Sequence, residues 1–465
     1  MQPPQQSERE LVHAIILSPR GSEVLLKKTD EGLVLPSVEI PRWERVAENL
    51  TATLKREWGC DAICLFTPKG RPVNLGSDCN HYEVMQCWQD AERTPEAAWF
   101  PLLSLAINSF GDMEQFQRIA DGLQELESYE RDLSAPFAKR GGLLELRKWI
   151  ADVVGRLGLE PTDQFQQFNA GPTFSLIRFE TDGPAVWFKA VGEPNLREFP
   201  LMLKLTELFP KFMPEILGTR REWNSWLSRE VVGTNLGKAR DVVLWQRAAA
   251  DLANLQIEST SNCDSLLQAG AHDLRFDVLI SAIEPFFELA ARLMHEQPKV
   301  PPAILSPEDL SLVRMLVDDA LTMLEDLGIP DTLGHLDLNP CNIILSANGS
   351  VFLDWAEACV GHPFFSLEYL FQHSRREVGS NATVQREIAE AYIRPWRQVH
   401  PDNRINEALA LVPLPAVFAY AVGTETWKDE ERLRDPNLAG YFRALARRMN
   451  REAAHFLERR SPCLN

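Results

Sequence analysis

Along the chain the spacing of apolar residues switches between two and three-to-four, and each switch marks an element. Leu11–Leu17 and Glu23–Lys28 read as strands joined by a turn at Pro19-Arg20-Gly21. Leu35-Pro36-Ser37-Val38 and a polar loop lead into a helical run from Arg45 to Trp58, stopped by Gly59. Ala62–Thr67 and His81–Trp88 again read as strands, and the module closes around Trp99-Phe100-Pro101-Leu102. From Ser109 to Leu157 the steps lengthen: Met113, Phe116, Ile119, Leu123 and Leu126 form one stripe, and Leu143, Leu146, Ile150 and Val153 another. Ser134-Ala135-Pro136 and Gly141-Gly142 separate the two helices.

Strand patterning returns at Phe165–Asn169, Phe174–Phe179 and Ala185–Ala190, followed by a helix at Leu196–Leu208 and strands at Ile216–Thr219 and Trp226–Val232. Most of the rest is helical: Val242–Ile257, Phe276–His295, Pro307–Leu327, then Val384–Tyr392, Arg404–Leu411, Pro415–Trp427 and Leu438–Leu457. Ser306, Pro307 and Asp309 form a capping box at the head of one of these helices. The helical run is interrupted at Gly334–Leu345, a polar loop leading into a strand. A turn at Ala347-Asn348-Gly349 and a second strand, Val351–Leu353, end at Asp354-Trp355.

That interruption holds the candidate chemistry. Asp337, Asn342 five residues later, and Asp354 just past the hairpin are the groups phosphoryl transfer requires. One carboxylate takes or aligns a hydroxyl proton, while an amide and a second carboxylate hold Mg²⁺ on nucleotide phosphates. His335, two residues before Asp337, fits a bracing role beneath the loop. A lone Asp is most often a cap or turn residue; the joint spacing between two apolar strands carries the reading.

These residues, with Pro340, resemble the aminoglycoside phosphotransferase/choline kinase family, whose loop reads H-x-D-x-x-x-x-N and whose strand ends in D-W or D-F. The resemblance implies an α+β, bilobal protein-kinase-like fold, with a small β-rich lobe (159–233) and a large helical lobe (234–465). It further implies that Lys189, ending the strand Val186–Lys189, contacts ATP phosphates and that Glu198 pairs with it. Glu230 and Val232 fall where a hinge backbone bonds the adenine edge. The loop Asn169-Ala170-Gly171-Pro172-Thr173 is a poor phosphate cradle, with one Gly and a Pro that removes an amide donor. Gln256 replaces the family's His in L-A-x-L-H, and His362 and Ser366 replace two acidic residues of G-D-P-x-x-D-L. The second of these normally braces the catalytic loop.

Residues 1–106 resemble a Nudix domain, a small α/β unit, with a helical connector over 107–158. Glu44 and Glu57 fall on two of that family's carboxylates. Ser37-Val38 stand for its paired glycines, Ala52-Thr53 for its Arg-Glu, and Arg56 for a metal-binding Glu. Holding divalent metal at a pyrophosphate needs clustered carboxylates on one helix face, so the resemblance implies a degenerate domain without pyrophosphatase activity. A generic packing or recognition module is the other reading of this stretch.

Composition narrows the partners. The 465 residues allow two to four domains, and 45% hydrophobic with 25% charged residues is ordinary globular content. A net charge of −18 argues against nucleic acid and leaves room for a cationic or neutral hydroxylated small molecule. The acidic cluster of Glu425, Asp429, Glu430 and Glu431 offers a face to a cation, although such clusters are commonly solvated helix ends. Eight scattered cysteines form no C-x-x-C pair, and Cys341 reads as a small filler within the loop. The polar segment Met1–Glu10 and the absence of a membrane-length apolar run imply no membrane partner and a cytoplasmic, reducing setting. The reading is therefore an ATP- and Mg²⁺-dependent small-molecule O-phosphotransferase. Its rival is a non-catalytic, pseudokinase-like nucleotide-binding scaffold or sensor, favoured by the poor phosphate loop, Gln256, Ser366 and the degenerate Nudix-like helix.

Overall fold

The computed structural model describes residues 9–42, 44–69, 81–88, 97–132 and 134–460. Of the polar leading segment, everything up to Glu8 lies outside them. The chain is α+β and divides into two compact units, Met1–Phe199 with Glu215–Glu230, and Pro200–Pro214 with Val231–Asn465.

The first unit opens with β1 (Arg9–Leu17), β2 (Glu23–Thr29), β3 (Gly32–Val34) and β4 (Ser37–Pro41), then α1 (Val46–Trp58), β5 (Ala62–Phe66), β6 (His81–Cys87) and β7 (Ala97–Pro101). They form one mixed sheet in the order β3-β2-β1-β6-β5, with β4 paired to β1 and β7 to β2. β1 lies antiparallel to β4 and parallel to β6. Such a central strand is buried on both faces, which explains why Leu11–Leu17 is almost continuously apolar. Val12, Ala14 and Ile16 pack with Leu50 and Leu54 of α1, whereas Ile15 and Leu17 enter a second core on the opposite face. β4 was not anticipated: Ser37–Pro41 is short and flanked by prolines, and only its pairing to β1 makes it a strand.

Two helices follow, α2 (Met113–Arg131) and α3 (Gly142–Gly155), as the apolar stripes predict. Asp112 caps α2 by accepting the Glu114 N–H at 2.8 Å. Next come β8 (Pro161–Ala170), β9 (Ser175–Thr181) and β10 (Val186–Ala190), then α4 (Glu198–Leu208), which from Pro200 onward belongs to the second unit, and β11 (Ile216–Arg220) and β12 (Ser225–Arg229). The five strands form an antiparallel sheet in the order β11-β12-β10-β9-β8. A five-stranded sheet whose third strand is followed by a helix is the small-lobe arrangement implied by the kinase-like resemblance. β12 ends at Arg229, three residues short of the sequence expectation.

The two sheets of this unit share one core. Ile15, Val24 and Val84 from the first sheet, Ile119 and Leu126 from α2, Leu146 and Ile150 from α3, and Ile177, Val186 and Phe188 from the second sheet belong to a single buried cluster. The junction is reinforced at an edge. β5 is an outer strand, and the buried Gln167 side chain on β8 bonds both backbone groups of Cys64, accepting its N–H at 2.8 Å and donating to its carbonyl at 3.1 Å. A side-chain amide thus does there what a neighbouring strand would do.

The second unit adds β13 (Thr234–Asn235), α5 (Val242–Ser259), α6 (Cys263–Ala269), β14 (His272–Leu274), α7 (Phe276–His295) and α8 (Pro307–Asp326). β15 (Thr332–His335), β16 (Ile343–Ser346), β17 (Gly349–Phe352) and β18 (Ala358–Gly361) follow. The last helices are α9 (Phe364–Glu377), α10 (Ala382–Trp396), α11 (Asp402–Leu411), α12 (Pro413–Val422) and α13 (Pro436–Arg460). Two three-stranded sheets, β13-β16-β17 and β14-β18-β15, are embedded among the helices. The capping box at Ser306 and Asp309 forms as predicted. Gly233 is required where the chain enters this unit, because a Cβ there would lie 2.4 Å from the Leu345 carbonyl oxygen of β16. No single described helix is long and apolar enough to cross a membrane.

The shared core generates a prediction. Deleting residues 1–106 removes one side of it and uncovers apolar surface on α2, α3 and β9, so the fragment 107–465 is expected to aggregate or to melt without a cooperative transition for its five-stranded sheet. A soluble fragment melting within a few degrees of the full chain would show that the second sheet needs no partner.

Candidate active site

β15 carries the chain into the centre of the second unit and ends on His335, which is buried. The His335 ring lies 4.6 Å from that of Trp355. Its Nε2 is 3.0 Å from the Leu353 carbonyl, which can only accept, so that nitrogen carries a proton. His335 therefore fixes the loop to the strand leading into Asp354 and is placed as a brace. Its backbone N–H donates to Ser366 Oγ at 2.9 Å. The serine thus supplies, with a neutral hydroxyl, an acceptor where the sequence resemblance places a carboxylate.

Beyond His335 the loop closes on itself. Asn339 N–H and Asn342 Nδ2 both donate to the Asp337 carbonyl, at 2.7 and 3.2 Å, and Asn342 N–H donates to the Asn339 carbonyl at 2.8 Å. Leu353 N–H donates to the Asn342 carbonyl at 2.8 Å, and Leu336 N–H to the Glu357 carbonyl at 3.1 Å. The β16–β17 hairpin spans the interval, pairing Ile343 with Phe352 and Ser346 with Gly349. These bonds turn a separation of twelve residues between Asn342 and Asp354 into adjacency. Asp354 has φ of 62°, a left-handed backbone that Asp tolerates better than most residues and that recurs where a structure over-determines a functional side chain.

The electrostatics show what the loop has gathered. Burial, and then the Asp354 charge, push the Asp337 carboxyl up to about 6, against hydrogen bonds from Tyr369 and Asn342 that favour its ionised form. Glu357 is pushed up to about 7 by burial first and then by Asp337 and Asp354. The Asp354 charge thus acts on both Asp337 and Glu357, in each case behind burial as the larger cause. Among the described residues no cluster of three or more His, Cys, Asp or Glu forms a complete metal cage. Asn342 and Asp354 are the groups that could meet a Mg²⁺ ion already carried by a nucleotide.

The substitutions in the adjoining motif have structural partners. Gln256 is fully buried on α5, donating to the Pro363 carbonyl at 2.8 Å and accepting the Tyr392 hydroxyl at 2.5 Å. His362 is wedged against Phe276, Phe364 and Phe365, and burial pulls it down to about 3, so it is neutral. The acidic cluster near the C-terminus is spent elsewhere. Arg292 pairs with both oxygens of Glu430, Lys428 with Glu425, and Asp429 caps the N–H groups of Glu431 and Arg432.

In the first unit, Lys189 Nζ lies 2.6 Å from Glu198 Oε1, and Glu198 is 1% exposed. The Glu230 side chain is clamped by Arg178, at 2.6 Å to Oε1 and 2.8 Å to Oε2, with Trp187 Nε1 3.3 Å from Oε1. The Arg178 hydrogen bonds hold Glu230 below the ordinary carboxylate range. Its backbone N–H is bonded to the Ala185 carbonyl, so any bond from this residue to a purine edge would use its C=O. Val232, across the unit boundary, is 81% exposed. At the β8–β9 turn, the Pro172 carbonyl accepts the Phe137 N–H at 3.3 Å, which draws the turn onto the α2–α3 connection. Glu44 and Glu57 are exposed, and Arg56 Nη2 lies 3.1 Å from Glu57 Oε1, where a metal site would need another carboxylate.

The structure thus gathers His335, Asp337, Asn342 and Asp354 in one unit and pairs Lys189 with Glu198 in the other. It adds Glu357, Ser366, Tyr369, Tyr420 and Tyr441 to the first group. Ser366 and Tyr369 stand three apart on one helix, a signal visible in the sequence; Tyr420 and Tyr441 carried none.

Residues 214–401 match the phosphotransferase enzyme family, APH. Comparison with curated protein sequences found no match. Among solved structures the chain is similar to the choline kinase LicA from Streptococcus pneumoniae, at 15% identity over 66% of this chain and 99% of that one, with a TM-score of 0.44. It is also similar to an ethanolamine kinase from Plasmodium vivax, at 13% identity over 72% and 93%, with a TM-score of 0.47. For the macrolide 2'-phosphotransferase MphH from Brachybacterium faecium the values are 17%, 63% and 98%, with a TM-score of 0.39.

The raised acids generate a prediction about stability. Glu357 keeps its proton in the folded chain up to about pH 7, against an ordinary value of 4.5, so ionising it costs folded stability progressively across that window and fully above it. In metal-free buffer Glu357→Gln should raise Tm at pH 8 by about 2–4 °C, with the gain shrinking towards pH 4.5. Equal melting of the two proteins at pH 8 would show that Glu357 is not held in a repulsive environment.

Proposed function

We propose that the chain is an ATP-dependent small-molecule O-phosphotransferase that moves the γ-phosphate to a hydroxyl of its acceptor. The observation that carries the reading is the gathering of Asp337, Asn342 and Asp354 by one loop and one hairpin, with the Asp337 carboxyl raised by burial and by the Asp354 charge. The family match over residues 214–401 supports the reaction class.

In this reading Lys189, held by Glu198, binds the α- and β-phosphates, and the backbone around Glu230 and Val232 meets the purine. Mg²⁺ bound by Asn342 and Asp354 supplies charge neutralisation to the transferring phosphoryl group. Asp337 accepts a hydrogen bond from the acceptor hydroxyl, aligns its oxygen for in-line attack and takes its proton as the bond to phosphorus forms. Its raised proton affinity suits that task near neutral pH. His335 and Ser366 hold the loop rather than touch the substrate. Glu357 beside Asp337 favours a hydroxylated acceptor bearing an amine, as in choline-like or aminoglycoside-like compounds. The N-terminal sheet serves as a structural partner of the small lobe, in a degenerate Nudix-like form.

A second reading, a non-catalytic nucleotide-binding scaffold, is favoured by the β8–β9 turn. There Pro172 lacks an amide donor, and its carbonyl is occupied by Phe137.

Two measurements test the proposal. Titration calorimetry should show Mg²⁺-dependent ATP binding that weakens in Asp354→Ala, and binding indifferent to metal would contradict the assigned ligands. Asp337→Asn should lower turnover roughly 10²–10⁴-fold with ATP affinity nearly unchanged, using water as the first acceptor and then a panel of amino alcohols. An isosteric change without effect on turnover would favour the scaffold.

A further inference from the structure

Two cysteines far apart in sequence meet in the core between α1 and the first sheet. Cys60 Sγ lies 3.0 Å from Cys87 Sγ, and both residues are buried with Leu50 and Leu54 of α1. Sulfur is larger than carbon, and even carbon atoms pack at about 3.5–4.0 Å, so packing alone does not account for this approach. A disulfide needs a further closure of about 1 Å, to the usual S–S length of about 2.05 Å. The backbone holds both residues in place. Gly59, at φ of 60°, turns the chain out of α1, and its N–H and that of Cys60 bond back to the Lys55 and Leu54 carbonyls at 3.1 and 3.3 Å. Cys87 ends β6 opposite Ala62 of β5, and the Trp88 N–H donates to the Asp61 carbonyl at 2.6 Å. Residues two apart along an extended chain share a face, so the run into β5 carries Cys60 to the side of Ala62 and Cys87.

The same end of β6 offers a way in. Cys87 lines a cavity of about 230 Å³ together with Pro19, Ile63, Gln86, Trp88 and Leu143. That volume is far above the roughly 10–15 Å³ that admits one water, so a small uncharged oxidant fits beside Cys87. Buried cysteines commonly serve as small apolar filler. Filler needs neither a sulfur–sulfur contact nor a cavity beside one of the sulfurs, and this pair has both.

We propose that Cys60 and Cys87 are an oxidisable pair that hydrogen peroxide converts to a disulfide, stapling the C-terminal end of α1 to the end of β6. Cys87, on the cavity, gives up its proton and attacks one peroxide oxygen. The O–O bond breaks, and the departing hydroxide takes that proton and leaves as water, with a sulfenic acid on Cys87. The Cys60 sulfur then attacks the Cys87 sulfur: the S–S bond forms, the S–O bond breaks, and a second water carries off the Cys60 proton. Together the two sulfurs lose the two electrons that the peroxide gains. The bond closes a loop between residues 27 apart, which restricts the unfolded chain and so stabilises the folded one. The inference concerns the first unit alone and is independent of the phosphotransferase reading.

The test treats the folded full-length chain with hydrogen peroxide, blocks the remaining thiols after unfolding, and maps disulfides in the digest by tandem mass spectrometry. The expected result is a link between Cys60 and Cys87 that dithiothreitol opens. Tm should rise by about 3–10 °C on oxidation and fall back on reduction. The reversal separates the disulfide from methionine sulfoxide, which dithiothreitol leaves in place. Cys60→Ala and Cys87→Ala should each show neither the link nor the reversible shift. Should either variant fail to fold, mapping and melting of the wild-type chain decide the matter alone. Finding the two sulfurs unlinked after treatment, whether still thiols or carried on to sulfinic acid, would overturn the proposal. So would a link from either of them to another cysteine, or a Cys60–Cys87 link that leaves Tm unchanged.

Discussion

Everything at the candidate site depends on three backbone-directed hydrogen bonds that fasten the loop after β15 to the segment after β17. His335 Nε2 donates to the Leu353 carbonyl, Leu353 N–H to the Asn342 carbonyl, and Leu336 N–H to the Glu357 carbonyl. Without them the β16–β17 hairpin would still form, since its register is local, but its two ends would not place an amide and two carboxylates side by side. The clasp also answers for its own cost. It brings the half-buried Asp337 and Glu357 close to the exposed Asp354, and burial together with the neighbouring charge makes both hold their protons more tightly.

The clasp is supported from outside by groups that replace charge with neutral hydrogen bonding. Ser366 accepts the His335 N–H, and Gln256 spans the Pro363 carbonyl and the Tyr392 hydroxyl. His362 sits neutral among aromatic rings where an acid would be expected. Ser366 and His362 keep a hydrogen-bonding function where the resemblance places an acid, which reduces the desolvation burden around an already acidic centre, and Gln256 keeps one where it places a histidine. The departures from the family pattern therefore do not by themselves argue for a dead site. The end of the five-stranded sheet follows the opposite rule: Arg178 clamps Glu230 with charge-assisted bonds where solvent is near.

The first unit shows a similar economy at larger scale. β1 feeds two cores from its two faces, and one of those cores runs without a break into the five-stranded sheet. Gln167 closes the edge of β5 by bonding the Cys64 backbone. Reading residues 1–106 and 159–233 as separate modules follows the pattern of strands and helices, but the buried side chains do not respect that division.

How far this was legible in the chain depends on sequence distance. Asp337, Asn342 and Asp354 lie within eighteen residues and are joined by one tight turn. Their spacing and the alternation of the flanking strands are enough to bring them together. The stripes of α2 and α3, the capping box at Ser306 and Asp309, and the strand ending in Lys189 are likewise local, so periodicity alone located them. β4 was hidden because Ser37–Pro41 is short and proline-flanked and becomes a strand only against β1. The continuous core of the first unit was hidden because an apolar face does not say which other face will cover it. Glu357 lay next to the motif, but its proton affinity comes from burial and from charges brought close by folding. Tyr369, Tyr420 and Tyr441 span more than seventy residues and three helices. The sequence by itself determined which chemistry could be assembled, because those residues fold into one hairpin. Only the tertiary structure decided how tightly the central acid holds its proton, because that depends on burial and on charges that folding brings together.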